Sequence, residues 1–214
     1  MLGALTMTSR IRTLRAGFTL IELLIVVAIA AVLLALVAPS FTDMIAMQRL
    51  RGAHDQLATD VQFARSEAAR RGIPVHVRVQ SKSAGGPACY ILFTDRGTSA
   101  SPYAFTTPAC DCTQPSGSRC SASTTAEVKT VILESYTGLN LVTASAFAPD
   151  RIGFDPATGM RLLPAMDSDP GPSYEFVVDT QLDSARVMRL AVGGSGRLRV
   201  CAPAGSKVTG AATC

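Results

Sequence analysis

Hydrophobic and polar positions divide the chain into three stretches with different periods. From Phe18 to Pro39 the sequence reads FTLIELLIVVAIAAVLLALVAP, a nearly continuous apolar run with one charge, Glu22. The twenty residues Thr19 to Ala38 predict a helix of roughly 30 Å, the thickness of a bilayer core. Farther on, Leu50, Ala53, Leu57, Val61, Ala64 and Ala68 recur at steps of three and four, the single stripe of an amphipathic helix. The pattern predicts one helix with a kink at Pro39, ended by Gly72 and kept from resuming by Pro74. Arg65, Arg70 and Arg71 lie near its end, where the helix dipole favours cations, and are expected to cap it and face solvent.

From Val75 the period falls to two. Val75, Val77 and Val79 alternate with His76, Arg78 and Gln80, the pattern of a half-buried strand. Further strands are expected at Cys89 to Thr94, Val128 to Leu133, Ile152 to Phe154, Tyr174 to Val178, Val187 to Val192 and Arg197 to Cys201. Turns are expected at Ser83 to Pro87, Asp95 to Gly97, Asp155 to Gly159 and Gly193 to Gly196. Residues 98–125, rich in Ser, Thr and Pro with three Cys, are expected to form a long stapled surface loop. One long helix followed by short antiparallel strands predicts an α+β fold, with the helix packed on an antiparallel sheet. The expected organisation is a basic leader at 1–17, a membrane or filament-core helix at 18–39, its amphipathic continuation at 40–72 and a β-rich domain at 73–214.

Composition sharpens this picture. Hydrophobic residues make up 48% of the 214 and charged residues 17%, which excludes a disordered chain. The formal charge is +4, but Arg10, Arg12 and Arg15 all precede Gly17. Without those three, 17 basic residues face 16 acids, a balance of +1. A globally basic nucleic-acid-binding protein is excluded, so any anion binding requires a local patch.

The run at 18–39 has two ordinary readings. A cleaved secretory signal is basic at its start, as here, but this run is longer than its usual apolar region and no small-residue cleavage site follows cleanly. A plain membrane anchor leaves Glu22 unexplained, because a carboxylate inside a membrane segment needs a partner or a function. The residues Gly17-Phe18-Thr19-Leu20-Ile21-Glu22, behind a basic leader and ahead of this apolar helix, resemble the processing motif of type IV pilins and type II secretion pseudopilins. The resemblance implies that a prepilin peptidase cuts after Gly17 and methylates Phe18. It also implies an inner-membrane precursor that later joins other pilins in a filament. Pro39 matches the family as well. Glu22 is then expected to pair with the amine of a neighbouring subunit's Phe18, offsetting its burial. The all-β region, with Ile152-Gly153-Phe154-Asp155-Pro156-x-x-Gly159 and Gly196-Arg197-Leu198-Arg199, resembles the FimT/GspH group of minor pilins and pseudopilins.

Six Cys beyond a membrane segment point to disulfides formed in the periplasm. They allow 15 pairings. Cys201 and Cys214 stand apart from the other four and are expected to pair, tying down a Gly- and Ala-rich tail. Cys110, Cys112 and Cys120 have the spacing of a partial zinc site, but no fourth ligand is evident, and no metal or cofactor is expected. Asp167-Ser168-Asp169 is read as a solvated loop, not a calcium site. Gly193 to Arg197 fails the nucleophile-elbow pattern at its last position, and no phosphate-loop or metalloprotease motif occurs. His54, alone on the helix, is expected at a surface or an interface. An enzyme is therefore not expected.

From Ser184 to Cys214 the chain has five basic residues, Arg186, Arg189, Arg197, Arg199 and Lys207, and no acid. In a strand, Arg197 and Arg199 share a face, with Leu198 and Val200 turned to the core. Pairing across the Gly193 to Gly196 turn is expected to add Arg189 to that exposed face. On the residues alone, a phosphate-binding patch and a solvated face with ion pairs to Asp179 and Asp183 are equally good readings. The resemblance adds that a G-R-x-R element near the C-terminus of FimT-like minor pilins is associated with DNA binding in natural transformation; Gly196, Arg197 and Arg199 match it. The expected function is a minor type IV pilin, anchored in the inner membrane and then carried in the pilus, whose basic face binds DNA without sequence preference. The alternative is a structural minor pseudopilin of a type II secretion system that binds no DNA.

Overall fold

The structure is a computed structural model that describes residues 18–82, 86–97, 110–134, 137–143, 150–162 and 175–214, without the side chains of residues 36–40. The leader and Gly17 lie outside the described residues, as do Tyr174, the Asp167–Asp169 loop and the whole 98–109 stretch. One helix, α1 (Leu20–Arg71), is assigned without interruption through Pro39. The chain divides into two compact units, Met1–Asp43 and Met44–Cys214.

In the first unit, apolar side chains are exposed, from Phe18 and Leu20 to Leu34. Thr19 starts the helix: its hydroxyl accepts from the Glu22 N–H at 3.3 Å, and its carbonyl accepts from Leu23 N–H at 3.2 Å. Among the described residues no helix is long and apolar enough to cross a membrane. The expected span at 18–39 includes residues 36–39, whose side chains are outside that description.

In the second unit the apolar stripe of α1 is buried as its spacing requires. Leu50, Leu57, Ala64 and Ala68 are wholly inaccessible and Val61 nearly so. The helix ends at Arg71, and Gly72 follows with φ 67°, the left-handed conformation that closes a helix. Its N–H returns to Ala68 O at 2.9 Å.

Among the described residues nine strands follow: β1 (Val75–Gln80), β2 (Cys89–Asp95), β3 (Thr125–Ile132), β4 (Asn140–Thr143), β5 (Arg151–Phe154), β6 (Arg161–Leu162), β7 (Phe176–Asp183), β8 (Arg186–Val192) and β9 (Leu198–Cys201). They form two antiparallel sheets, in the orders β3-β2-β1-β5-β6 and β4-β7-β8-β9. The stripe of α1 shares a single core with both sheets: Val75, Val77, Tyr90, Leu92, Ile152 and Phe154 come from the first, and Leu141, Phe176, Val178, Leu190 and Val192 from the second. Burial of this apolar surface is the main stabilising contribution. Two strands were not expected, β4 and β6, and both are short.

The helix is also tied to the sheets by buried polar groups. Asp60, only 3% exposed, accepts from Tyr90 Oη at 2.7 Å and Lys129 Nζ at 2.6 Å. Burial, reinforced by this bond to Asp60, pushes the Tyr90 phenol well above its ordinary range. His54 is not a surface group, as the sequence suggested: it is fully buried, with Nδ1 3.1 Å from Thr180 Oγ1 on β7. Its neighbours Leu50 and Leu57 carry the stripe inward, and His54 lies on the same side of the helix.

The stretch after residue 109 is stapled and exposed from Thr113 to Ser118, as expected, but its first cysteines turn inward. Disulfides join Cys89 to Cys112 and Cys110 to Cys120, and Cys110 and Cys112 are buried. With Ile91 and Phe93 they make a second small core on the outer face of β2. Strand β2 is consequently buried at every position. Cys201 is bonded to Cys214, and the tail runs back beside the end of β9 through a bridge between Ala202 and Thr213. No described cysteine is free, so Cys110, Cys112 and Cys120 have no thiolate to offer zinc.

Candidate functional site

The basic C-terminal segment occupies β8, β9 and the connections around them. β9 pairs with β8 in the register Arg189 with Cys201, Leu190 with Val200, Ala191 with Arg199 and Val192 with Leu198. Directly paired residues share a face, so Arg189 and Arg199 do lie on the face opposite Leu190 and Val192. β9 is the edge strand of its sheet, and the core does not extend fully beneath it. As a result Val200, expected inside, is 40% exposed. Arg197 precedes the strand and belongs to the turn.

The five cations do not stand free together, because β7 and Glu175, just before it, bring acids against three of them. Arg189 is directly paired with Asp179 across β7 and β8, and its guanidinium donates to both carboxylate oxygens at 2.7 and 2.8 Å. That bond to Asp179 raises the Arg189 pKa further. Arg186 donates to Asp183 at 2.7 Å across the tight β7–β8 connection. Arg199 reaches Glu175 at 3.0 Å, with its side chain 62% exposed. The acid-free segment in sequence is therefore a mixed surface in space. Arg189, expected as an available phosphate contact, is held by Asp179 and is corrected to an ion-pair residue. Arg197 and Lys207 are exposed, and neither makes a side-chain ion pair with a described residue.

Gly196 has a backbone role. Its φ is 74°, and a Cβ there would come within 2.6 Å of Gly159 O, so only glycine fits. The two glycine turns meet here. Arg161 N–H donates to Gly194 O at 3.1 Å, while Gly196 N–H closes its own turn on Gly193 O at 2.9 Å. The Asp155 turn is fixed by its own carboxylate, which accepts from Thr158 N–H at 2.7 Å and from Ala157 N–H at 3.0 Å. These bonds hold the Asp155 carboxyl below its ordinary range. The sequence marks both turns, but nothing in it shows that they touch.

At the helix end, Arg70 and Arg71 are not simply solvated. Both donate to Glu67, Arg70 at 2.8 and 2.6 Å and Arg71 at 2.5 Å, and Arg70 above all depresses the Glu67 pKa to about 2. Arg65 is different: it is half-buried, and it lies against Gly159 and Gly196. At the other end of α1, Glu22 and Thr19 stand in the Thr-x-x-Glu spacing of a capping box. That local signal is present in the sequence, alongside the charge by which Glu22 was singled out. No group of His, Cys, Asp and Glu that could hold a metal occurs among the described residues.

Two family models match the chain, and several known proteins are similar to it. The family model for type II transport protein GspH matches residues 53–196, and that for the prokaryotic N-terminal methylation motif matches residues 12–38. The pilin-like protein PilA1 of Thermus thermophilus is 42% identical over 83 residues, which are 38% of this chain and 49% of that protein. The chain thus spans about half the length of the curated relative it matches. Two crystal structures of the type IV minor pilin FimU of Pseudomonas aeruginosa are similar, with TM-scores of 0.44 and 0.41 and identities of 16% and 15%. The similar regions cover 72% and 70% of this chain and 88% and 90% of those chains.

Proposed function

The chain belongs to the type II transport protein GspH family and carries a prokaryotic N-terminal methylation motif, and from that premise we propose that it serves as a minor pilin that captures DNA for uptake. Its role as a minor pilin or pseudopilin, a structural subunit, follows from the family. In the proposed cycle, prepilin peptidase removes residues 1–17 and methylates Phe18. Residues 18–39 hold the precursor in the inner membrane and then enter the filament among other pilins, leaving the β-rich domain in the periplasm or outside the cell.

The observation that carries the DNA reading is Arg197, exposed at the base of the β8–β9 turn and in no side-chain ion pair with a described residue. Arg199 supports it through a solvent-exposed pair with Glu175, a kind of contact worth little and easily exchanged for phosphate. Lys207 is also exposed, but its backbone N–H donates to Ala185 O at 2.7 Å, which puts it at the other end of β8 from Arg197. Contacts of this type go to the phosphate backbone and carry no base preference.

A second reading is favoured by a different observation. Asp179, Asp183 and Glu175 already neutralise Arg189, Arg186 and Arg199. A surface so balanced suits a structural pseudopilin of a secretion system. The two readings separate in anisotropy titrations of a labelled duplex with the processed chain in detergent, at several salt concentrations. The DNA reading expects salt-dependent binding, and a slope of log affinity against log salt that flattens by roughly 2 in Arg197→Gln/Arg199→Gln. Absence of binding at low salt leaves the pseudopilin reading.

A further inference from the structure

Arg65 contrasts with the other half-buried arginines. Arg78, Arg119, Arg186 and Arg189 are half-buried too, and each is paired with an acid, while half-buried Arg51 donates to Thr209 instead. Arg65 makes no hydrogen bond or ion pair with any described residue. A guanidinium partly withdrawn from water without an anion carries an uncompensated desolvation cost.

Its surroundings are built from bare backbone. A Cβ at Gly159 would stand 2.8 Å from Arg65 Nε, and one at Gly196 would stand 3.4 Å from the same atom. Both glycines have positive φ, 64° and 74°. The two turns that supply them are bonded to each other through Arg161 N–H and Gly194 O. The guanidinium is thus seated at the seam of two fixed turns, and Arg197, exposed and unpaired among the described residues, leaves the chain directly after Gly196. Arg65 thus lies against Gly196, and Arg197 follows that glycine in the chain; neither has an ion pair with a described residue. This arrangement fits a tetrahedral oxyanion, which accepts parallel N–H bonds from guanidinium forks.

We propose that Arg65 and Arg197 together form a phosphodiester-binding site at the seam of the Gly159 and Gly196 turns. The inference rests on the DNA reading in that the phosphodiester belongs to nucleic acid; the site itself uses a helix residue outside the G-R-x-R element. Arg65 supplies a contact fixed by the fold, and Arg197 supplies one that closes from solvent.

The test uses the processed full chain in non-ionic detergent, with a fluorescein-labelled duplex as probe. Arg65→Gln is expected to weaken binding and flatten the salt slope by about 0.9, as one lost phosphate contact does. In the Arg197→Gln background its effect should be smaller, because the two residues share a phosphate. Arg65→Lys keeps the charge and loses the fork, so it should bind several-fold more weakly at an unchanged slope. It carries the test if circular dichroism shows that Arg65→Gln does not fold. If Arg197→Gln weakens binding while Arg65→Gln and Arg65→Lys match the wild type, the Arg65 site is overturned and the DNA reading stands. A second arm titrates inorganic phosphate and follows the Arg65 side-chain Nε–H by NMR. A shift there without duplex binding overturns the DNA reading and leaves an oxyanion site that takes free phosphate. No shift and no duplex binding overturns both.

Discussion

The imidazole of His76 occupies the space where a side chain at residue 153 would begin: a Cβ on Gly153 would lie 2.6 Å from both His76 Cε1 and Nδ1. The two residues are directly paired between β1 and β5, and on its other side His76 is paired with Phe93, whose ring stacks on it at 5.4 Å. An aromatic ring laid over a strand glycine restores the packing that glycine lacks. The sheet meets the Gly153 landmark of the sequence with a steric reason for it.

Gly153→Ala should therefore destabilise the domain although its backbone conformation suits any residue. The ring is wedged against Phe93 and has nowhere to move, so an overpacking cost of about 1–3 kcal/mol is expected. Thermal unfolding of the processed chain measures it; a wild-type midpoint would show that the ring moves freely.

Acid should weaken the domain before the carboxylates titrate. Burial lowers the His76 pKa to about 4, partly opposed by Asp95 and aided by Arg151, and burial lowers that of His54 as well. Because the folded value lies below the unfolded one near 6.5, the unfolded chain takes up protons first. Stability is complete above about pH 6.5 and declines as pH falls toward 4, with His76 alone contributing a loss of about 2 kcal/mol by pH 5. Glu67, held to about 2, acts in a separate window below its ordinary value of 4.5. Denaturant unfolding at pH 7.5, 6 and 5 should show the decline; constant stability across that range would contradict the burial of both imidazoles.

Removing Asp60 should cost more than removing its phenol partner. Asp60→Ala leaves Tyr90 Oη and Lys129 Nζ without their acceptor, a loss of about 3 kcal/mol, whereas Tyr90→Phe should cost about 1 kcal/mol. Denaturation midpoints of the two variants give the order, and equal costs would mean that the carboxylate is not the organising group.

Glu22 has two separable attributes, its charge and its place three residues after Thr19. Glutamine retains the capping-box chemistry and loses the charge, while alanine loses both. If charge pairing with a neighbouring Phe18 amine governs assembly, Glu22→Gln and Glu22→Ala should both be processed to a chain beginning at methylated Phe18 and both be scarce in sheared filaments. Immunoblots of filaments and intact mass spectrometry read the two steps. Normal incorporation of Glu22→Gln would place the role of Glu22 in the helix cap.

Much of the fold was legible because it is written in local periods. The stripe from Leu50 to Ala68 predicted the buried face of α1, and the alternation from Val75 to Val79 predicted β1. The burial of His76 was not legible, since the layer that covers the outer face of β2 comes from Cys110 and Cys112, remote in sequence. β4 and β6 have four and two residues, too few to show a period. The candidate site was misjudged for a related reason. Counting charge along Ser184 to Cys214 isolates the cations, but strand register sets Asp179 opposite Arg189 and brings Glu175 near Arg199. Arg65 was legible only as a helix-end cation, because its contact with Gly159 and Gly196 depends on how two distant turns meet.

The three disulfides have a mechanical consequence. A filament subunit must bear tension, and a domain that gives way under load normally lengthens by the full contour of its chain. Here the Cys201–Cys214 bond withholds 13 residues, about 45 Å of extended chain, and Cys89–Cys112 withholds 23, about 80 Å. Even a subunit torn from its core would pay out a shortened tether, and the stretch between Cys120 and Cys201, which carries Arg197, is the part left free to lengthen.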